Sequence, residues 1–215
     1  MKKIISFSLW GENPIYNVGA IRNAELAKSI YPEWICRYYV GTTTPKEIIE
    51  KLLSFDNTEI IKMDVPGDWT GMFWRFYPSS EEDVDVVIVR DCDSRLNVRE
   101  KEAVDEWINS DKGFHIMRDH PNHGIEILGG MWGSKKGTVN QMKSLIDEYL
   151  KGDFWQVDQN FLREKIYPLI KNNVVIHDEF FDKKNFPSFR MGKFFVGQAF
   201  DENDKMLYPE HINHL

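Results

Sequence analysis

The stretch Asp85-Val86-Val87-Ile88-Val89-Arg90-Asp91-Cys92-Asp93-Ser94-Arg95 decides how this chain is read. Its β-branched run has no polar interruption, the signature of a strand buried on both faces. It ends in two carboxylates one residue apart. On an extended backbone, residues i and i+2 project to the same side, so Asp91 and Asp93 are placed to hold one hard divalent cation through oxygen. In an open α/β sheet, ligands bind beyond the carboxyl ends of the strands, where this pair falls. The spacing alone is unspecific, because solvated turns also carry Asp-x-Asp; the strand in front of it gives it weight. A second apolar run, Val174-Val175-Ile176, closes on His177 and Asp178, which makes His177 the candidate third metal ligand against a purely structural role.

Outward from this stretch, 215 residues suit a single domain, with 42% hydrophobic and 28% charged residues, as in ordinary globular proteins. Seven Trp, eight Tyr and fourteen Phe exceed what such a core needs, so some are expected to line a groove. The net charge of −7 lacks the basic stripe of a nucleic-acid binder, and no nucleic-acid partner is expected. Cys36 and Cys92 give no disulfide framework, and a reducing, cytoplasmic setting is expected. The apolar run after Met1-Lys2-Lys3 is too short for a signal peptide, and no stretch is long enough for a membrane span.

Taken in order, Ile4 to Leu9, Trp34 to Val40 and Thr58 to Met63 read as strands alternating with two helices. The first helix is expected to be capped by Asn17. The second is expected to open on the capping box Thr44-Pro45-Lys46-Glu47. This β-α-β-α-β order implies a parallel sheet with right-handed crossovers. No G-x-G-x-x-G or phosphate-binding loop accompanies it. Arg22 is either a ligand contact or part of a solvated helix face. Asp68 to Pro78 gathers aromatic residues around Arg75, which reads equally as a diphosphate clamp or as an arginine paired with a nearby acid. Asn97 to Glu100 is a capping box for a helix through Ile108, and Phe114 to Met117 is a further strand. Arg118 to Gly124 is a polar cluster in which Asp119 is a candidate acceptor-side base. Gly129-Gly130-Met131-Trp132-Gly133 reads as a sugar platform, with a tight strand crossing as the alternative. Helices are expected over Thr138 to Leu150 and Gln156 to Ile166, with Asp158 either serving the helix dipole or handling a sugar or proton. Phe194 to Phe200 reads as a last strand.

Arg90 to Arg95, Met117 to Pro121, Gly129 to Gly133 and Phe195-Val196-Gly197-Gln198 together resemble the small GT-A glycosyltransferase domains of large DNA viruses and some bacteria. The N-terminal domain of the chlorovirus enzymes that decorate capsid glycans is among them. The resemblance spans nearly the whole chain. It implies a GT-A fold with a central, mostly parallel twisted sheet and helices on both faces. Residues 1–95 would form a nucleotide-binding half, and residues 96–215 an acceptor and sugar half. It also implies a nucleotide-sugar donor, with a UDP-sugar expected, Mn2+ or Mg2+ as cofactor, and a glycan or glycoprotein acceptor. Asp91 and Asp93 match the family's Asp-x-Asp. Asp158-Gln159 is similar to an Asp-Gln pair that contacts the donor sugar, and Arg75 to an arginine upstream of Asp-x-Asp. The donor contacts expected on this basis are Asn17, Arg22, Arg75, Asp91, Gly130, Trp132 and Gln159. His177 departs from the His-x-x-Gly pattern of the best-known retaining relatives.

In such a reaction negative charge develops on the β-phosphate as it leaves, so a cation at Asp91 and Asp93 would act where charge appears. Asp119 and Asp158 are the candidate bases, and the sequence is compatible with retention or inversion. Three rivals remain: a catalytically silent sugar-binding module, a sugar nucleotidyltransferase, and a phosphotransfer enzyme with an aspartyl nucleophile. The last two lack their usual accompanying motifs here.

Overall fold

The computed structural model describes residues 1–149, 152, 154–181 and 184–215. The elements run β1 (Lys3–Leu9), α1 (Pro14–Ile30), β2 (Ile35–Val40), α2 (Lys46–Leu53), β3 (Thr58–Lys62), a 3-10 segment (Trp69–Ser80) and β4 (Val86–Val89). They continue with α3 (Val98–Asn109), β5 (Phe114–Arg118), β6 (Trp132–Lys135), α4 (Met142–Glu148), α5 (Val157–Phe161), a π turn (Leu162–Ile166), α6 (Tyr167–Ile170), β7 (Val174–Asp178) and a terminal 3-10 turn (Pro209–His214). The seven strands form one sheet in the order β3-β2-β1-β4-β6-β5-β7. All pairings are parallel except those of β6, which runs antiparallel between β4 and β5.

Side-chain alternation along the strands splits the core into two layers, as the uninterrupted run in β4 requires. Ile4, Val87 and Val89 pack with Phe73, Phe76, Trp132 and the helices that follow β6. Ile5, Phe7, Val86 and Ile88 face Ala20, Ala24 and Ala27 of α1 and Val104 and Trp107 of α3. The small alanines bring α1 close to the sheet, and the Tyr38 hydroxyl donates to the Ala20 carbonyl at 2.8 Å. No helix among the described residues is long and apolar enough to cross a membrane.

Local chemistry departs from expectation at several ends. The cap of α1 is Asn13, whose side chain accepts from Ile15 N, followed by Pro14 in the first turn. Asn17 lies buried inside the helix and donates instead to the Gly11 carbonyl at 3.2 Å. Thr44 does not cap α2, because its hydroxyl donates to the Leu9 carbonyl at 3.2 Å. Asn97 does cap α3, accepting from Glu100 N at 3.0 Å. α4 is shorter than the expected Thr138 to Leu150, and Leu150 lies outside the described residues. Phe194 to Phe200 is not a sheet strand, and only single bridges, from Ala199 to Ser94 and from Phe200 to Met206, occur there.

One buried ion pair ties four elements together. Arg90, just past β4, donates from Nε to Glu100 at 3.1 Å and from Nη1 to the carbonyls of Val89 (2.7 Å) and Trp132 (3.3 Å). The Tyr31 hydroxyl donates to the same Glu100 oxygen at 3.1 Å. Removing one partner of such a pair strands a charge in the core, so Glu100→Ala is expected to destabilise the fold by about 3–5 kcal/mol. Urea denaturation of wild type and variant at neutral pH measures this directly, and an unchanged midpoint would refute it.

Candidate active site

The carboxyl ends of β1 and β4 open onto a cleft of ≈ 800 Å³ that draws lining residues from both halves of the chain. α1 holds its floor. Gly19 lets the helix approach so closely that a β-carbon there would lie 2.0 Å from the Cys92 carbonyl oxygen. Asn23, also on α1, donates to the Ser94 carbonyl at 2.9 Å and accepts from Leu96 N at 3.1 Å. The loop carrying Asp91 and Asp93 is thereby fastened from behind. β4 ends at Val89, so both carboxylates line the cleft from the turn after it, and Cys92 between them is buried.

Arg75 organises these charges. It projects from the 3-10 segment, its backbone N–H donates to Ser8 Oγ at 3.1 Å, and its side chain is 6% exposed. One arm of its guanidinium bonds Asp91 and the other donates to Asp158 Oδ2 at 2.9 Å. Asp158 itself is 2% exposed, and its Oδ1 accepts from Gln159 N at 2.9 Å. Burial pushes the Asp158 carboxyl above the ordinary range, with Arg75 opposing. The two glycines before Met131 close over this assembly. A β-carbon at Gly129 would lie 2.4 Å from Asp158 Oδ2, and one at Gly130 would lie 2.0 Å from Asp91 Oδ2.

Asp93 has no such partner: among the described residues no cationic side chain forms an ion pair with its carboxylate. Burial, and then the neighbouring Asp91 charge, push its carboxyl up to about 7. Tyr16 also lines the cleft, and burial followed by the Asp93 and Asp91 charges pushes its phenol up to about 12. A divalent cation fits this donor set. Asp93 is a carboxylate without a counter-charge, and Asp91 keeps Oδ2 free of Arg75. Such cations are commonly held by one or two carboxylates, with water and phosphate oxygens completing the shell.

The remaining sequence candidates divide. Gly130 and Gln159 line the cleft with Arg75, Asp91 and Asp158. Asn17 sits one layer behind, holding the Gly11 turn. Arg22 is 47% exposed on the outer face of α1, paired with Glu25 and Asp204, and does not reach the cleft. Trp132 is not a platform: it points from β6 into the core and stacks on Phe114 at 5.2 Å. Asp119 is fully buried away from the cleft, bonded by Arg99 at 3.0 Å through both oxygens, by Arg190 at 2.8 Å and by Val196 N at 2.9 Å. With both oxygens so engaged it is a structural anchor rather than a base. His177 lies in β7, bonded to His115 at 2.8 Å and near Glu106, and does not join Asp91 and Asp93. Among the described residues no group of three or more His, Cys, Asp or Glu side chains converges as a metal site.

The expected groove-lining aromatics are present, although sequence reasoning did not name which residues they are. Trp10, Tyr16, Trp69, Trp155 and Tyr208 all line the cleft. Trp10 stands edge-on to Trp74, 5.9 Å away, and would be struck by a β-carbon at Gly67 or Gly71. Those glycines, which leave room for the Trp10 ring, were the available signal. Gln156, beside Asp158, adopts a left-handed φ of 70°, a strained conformation for a residue with a β-carbon.

No protein-family model matches the chain, and no curated protein sequence is similar to it. Solved structures do resemble it. A glycosyltransferase involved in glycosylation of the major capsid of PBCV-1 superposes with a TM-score of 0.54 at 15% identity, covering 83% of this chain and 82% of that one. Staphylococcus aureus TarS 1-349 in complex with UDP-GlcNAc gives 0.58 at 13% identity, with 89% of this chain matching 60% of the TarS chain. Glucosyl-3-phosphoglycerate synthase from Mycobacterium tuberculosis in complex with UDP gives 0.52 at 10% identity, covering 88% and 72%. At such identities likeness speaks for architecture. This chain has the α/β fold of the GT-A glycosyltransferases.

Proposed function

We propose that this protein is a metal-dependent glycosyltransferase that moves a sugar from a nucleotide-sugar donor, a UDP-sugar, to a hydroxyl of a glycan or protein-linked glycan. The observation that carries this reading is the pair Asp91 and Asp93 at the end of β4, opening onto an aromatic-walled cleft and leaving one carboxylate without a counter-charge. The fold it shares with structures solved with UDP or UDP-GlcNAc supports the same donor class.

Each residue then has a chemical task. Trp10 and Tyr16 offer flat faces at the end of β1 for the nucleoside. Asp91 and Asp93 would hold Mn2+ or Mg2+, which when bound stabilises the charge developing on the departing diphosphate. Arg75 fixes Asp91 and Asp158 and sets the positive field behind them. Asp158, with Gln159, is placed to contact the donor sugar, and its environment favours retaining a proton longer than an exposed carboxyl would. Gly129 and Gly130 admit the sugar close to the backbone. Residues 1–95 supply most of the donor floor and residues 96–215 the opposite wall.

A catalytically silent sugar-binding module would use the same groove without turnover. Release of free nucleotide from a panel of UDP- and GDP-sugars, with Mn2+, Mg2+ or chelator, separates the two. Metal-dependent release from one donor is expected. Asp93→Ala is expected to abolish it by at least about a hundred-fold, the scale of removing a dominant electrostatic contact. No turnover in any metal would refute the enzyme.

The cation must bind the ionised carboxylates, so Mn2+ affinity is expected to rise with pH up to about 7, the Asp93 midpoint, and to level off above it. Titration calorimetry across that range reads this, and a flat profile would count against Asp93 as ligand. The same shift has a stability consequence. A carboxyl raised from 3.8 to about 7 stabilises the metal-free fold while protonated, fully below the lower value, and that stabilisation is lost as pH rises through the upper one. Thermal melts of metal-free Asp93→Asn should lack this component. Finally, Gly130→Ala is expected to fold but to bind donor at least about ten-fold more weakly, because its new methyl group displaces the Asp91 carboxylate.

A further inference from the structure

Among the described residues, the segment Phe189 to Phe194 is the most exposed apolar feature that the proposed chemistry does not use. Phe189 is 97% exposed, Met191 85% and Phe194 59%. Exposure of this kind is ordinary for a frayed end, but this tip is held at its base. Arg190 donates to the Asp119 carboxylate at 2.8 Å and to its carbonyl at 3.1 Å. Val196 N donates to the other carboxylate oxygen at 2.9 Å. Arg99 bonds both Asp119 and the Ser188 carbonyl, and Phe195 packs on His120 with ring centroids 4.5 Å apart. One buried carboxylate therefore clamps the segment on both sides of Met191-Gly192-Lys193-Phe194, and the turn at Gly192 (φ 63°) points that tip outward.

Its charge is opposite to that of the rest of the chain. In a protein of net charge −7, residues 183–200 contain Lys183, Lys184, Arg190 and Lys193 and no carboxylate. Lys184 and Lys193 are exposed. Two phenylalanines and a methionine around the exposed Lys193, with exposed Lys184 earlier in the same basic stretch, match the interfacial region of a bilayer, where rings enter the acyl boundary and ammonium groups meet anionic headgroups. We propose that this tip docks the protein on an anionic lipid surface. Because Gly197 lines the cleft two residues beyond the buried Phe195, the docked face adjoins the cleft wall.

Flotation of the intact protein with phosphatidylcholine vesicles, with and without phosphatidylglycerol, tests this independently of turnover. Wild type is expected to float with the anionic vesicles and to be released by salt. Lys184→Ala and Lys193→Ala should each weaken binding about five-fold. Phe189→Ser and Phe194→Ser should each weaken it at least about ten-fold, the scale of exposing one aromatic ring. All four side chains are exposed and outside the cleft, so thermal melts and nucleotide release should match wild type, which confirms that any loss is local. Wild type left behind by anionic vesicles would overturn the proposal. So would a dimer in sedimentation velocity that Phe189→Ser converts to monomer, since a second copy would then cover the tip.

Discussion

A single guanidinium, that of Arg75, sets what the rest of the cleft can be. A buried cation needs opposite charge beside it, and Arg75 has Asp91 on one arm and Asp158 on the other. The end of β4 and the start of α5, far apart in the chain, must therefore arrive at the same point. Two consecutive glycines lie above them, where a β-carbon would strike the Asp158 and Asp91 carboxylates. The arrangement also partitions the acids. Two share the Arg75 guanidinium, and Asp93, the third, forms no ion pair among the described residues.

The strand carrying this site was legible because its run of β-branched residues admits one burial pattern, and the two carboxylates that follow it reach the cleft from the turn after β4. The β-α-β-α-β opening was equally legible from its periodicity. Arg75 could be placed only between two readings, clamp or ion pair. The structure shows the ion pair, formed with the acids of the site itself, and that partner set depends on a tertiary contact no local pattern encodes.

The misplaced candidates share a cause. Asp119 and His177 do stand at the carboxyl ends of parallel strands, but of β5 and β7, which antiparallel β6 separates from the β1–β4 junction. Without strand order, every such end looks equivalent. Trp132 sat among glycines that suggested an open platform, but its position in β6 turned the ring inward onto Phe114. Asn17 and Thr44 show the same competition at smaller scale. Each has the right chemistry for a helix cap, and each spends its side chain on a carbonyl of the β1 end or the turn after it.

The insertion of β6 between β4 and β5 also bears on how the chain is made. As the polypeptide emerges from its amino end, β1 through β4 can assemble in sequence, but the free edge of β4 waits for a partner that comes only with Trp132 to Lys135. Until then its buried-type valines and unpaired amides form the kind of edge that recruits strands from other molecules. β5, which comes out earlier, cannot take that place and later joins the sheet through β6. Newborn chains stalled within this interval are thus the species most exposed to aggregation, and Trp132, which lies in the core away from the cleft, closes that interval.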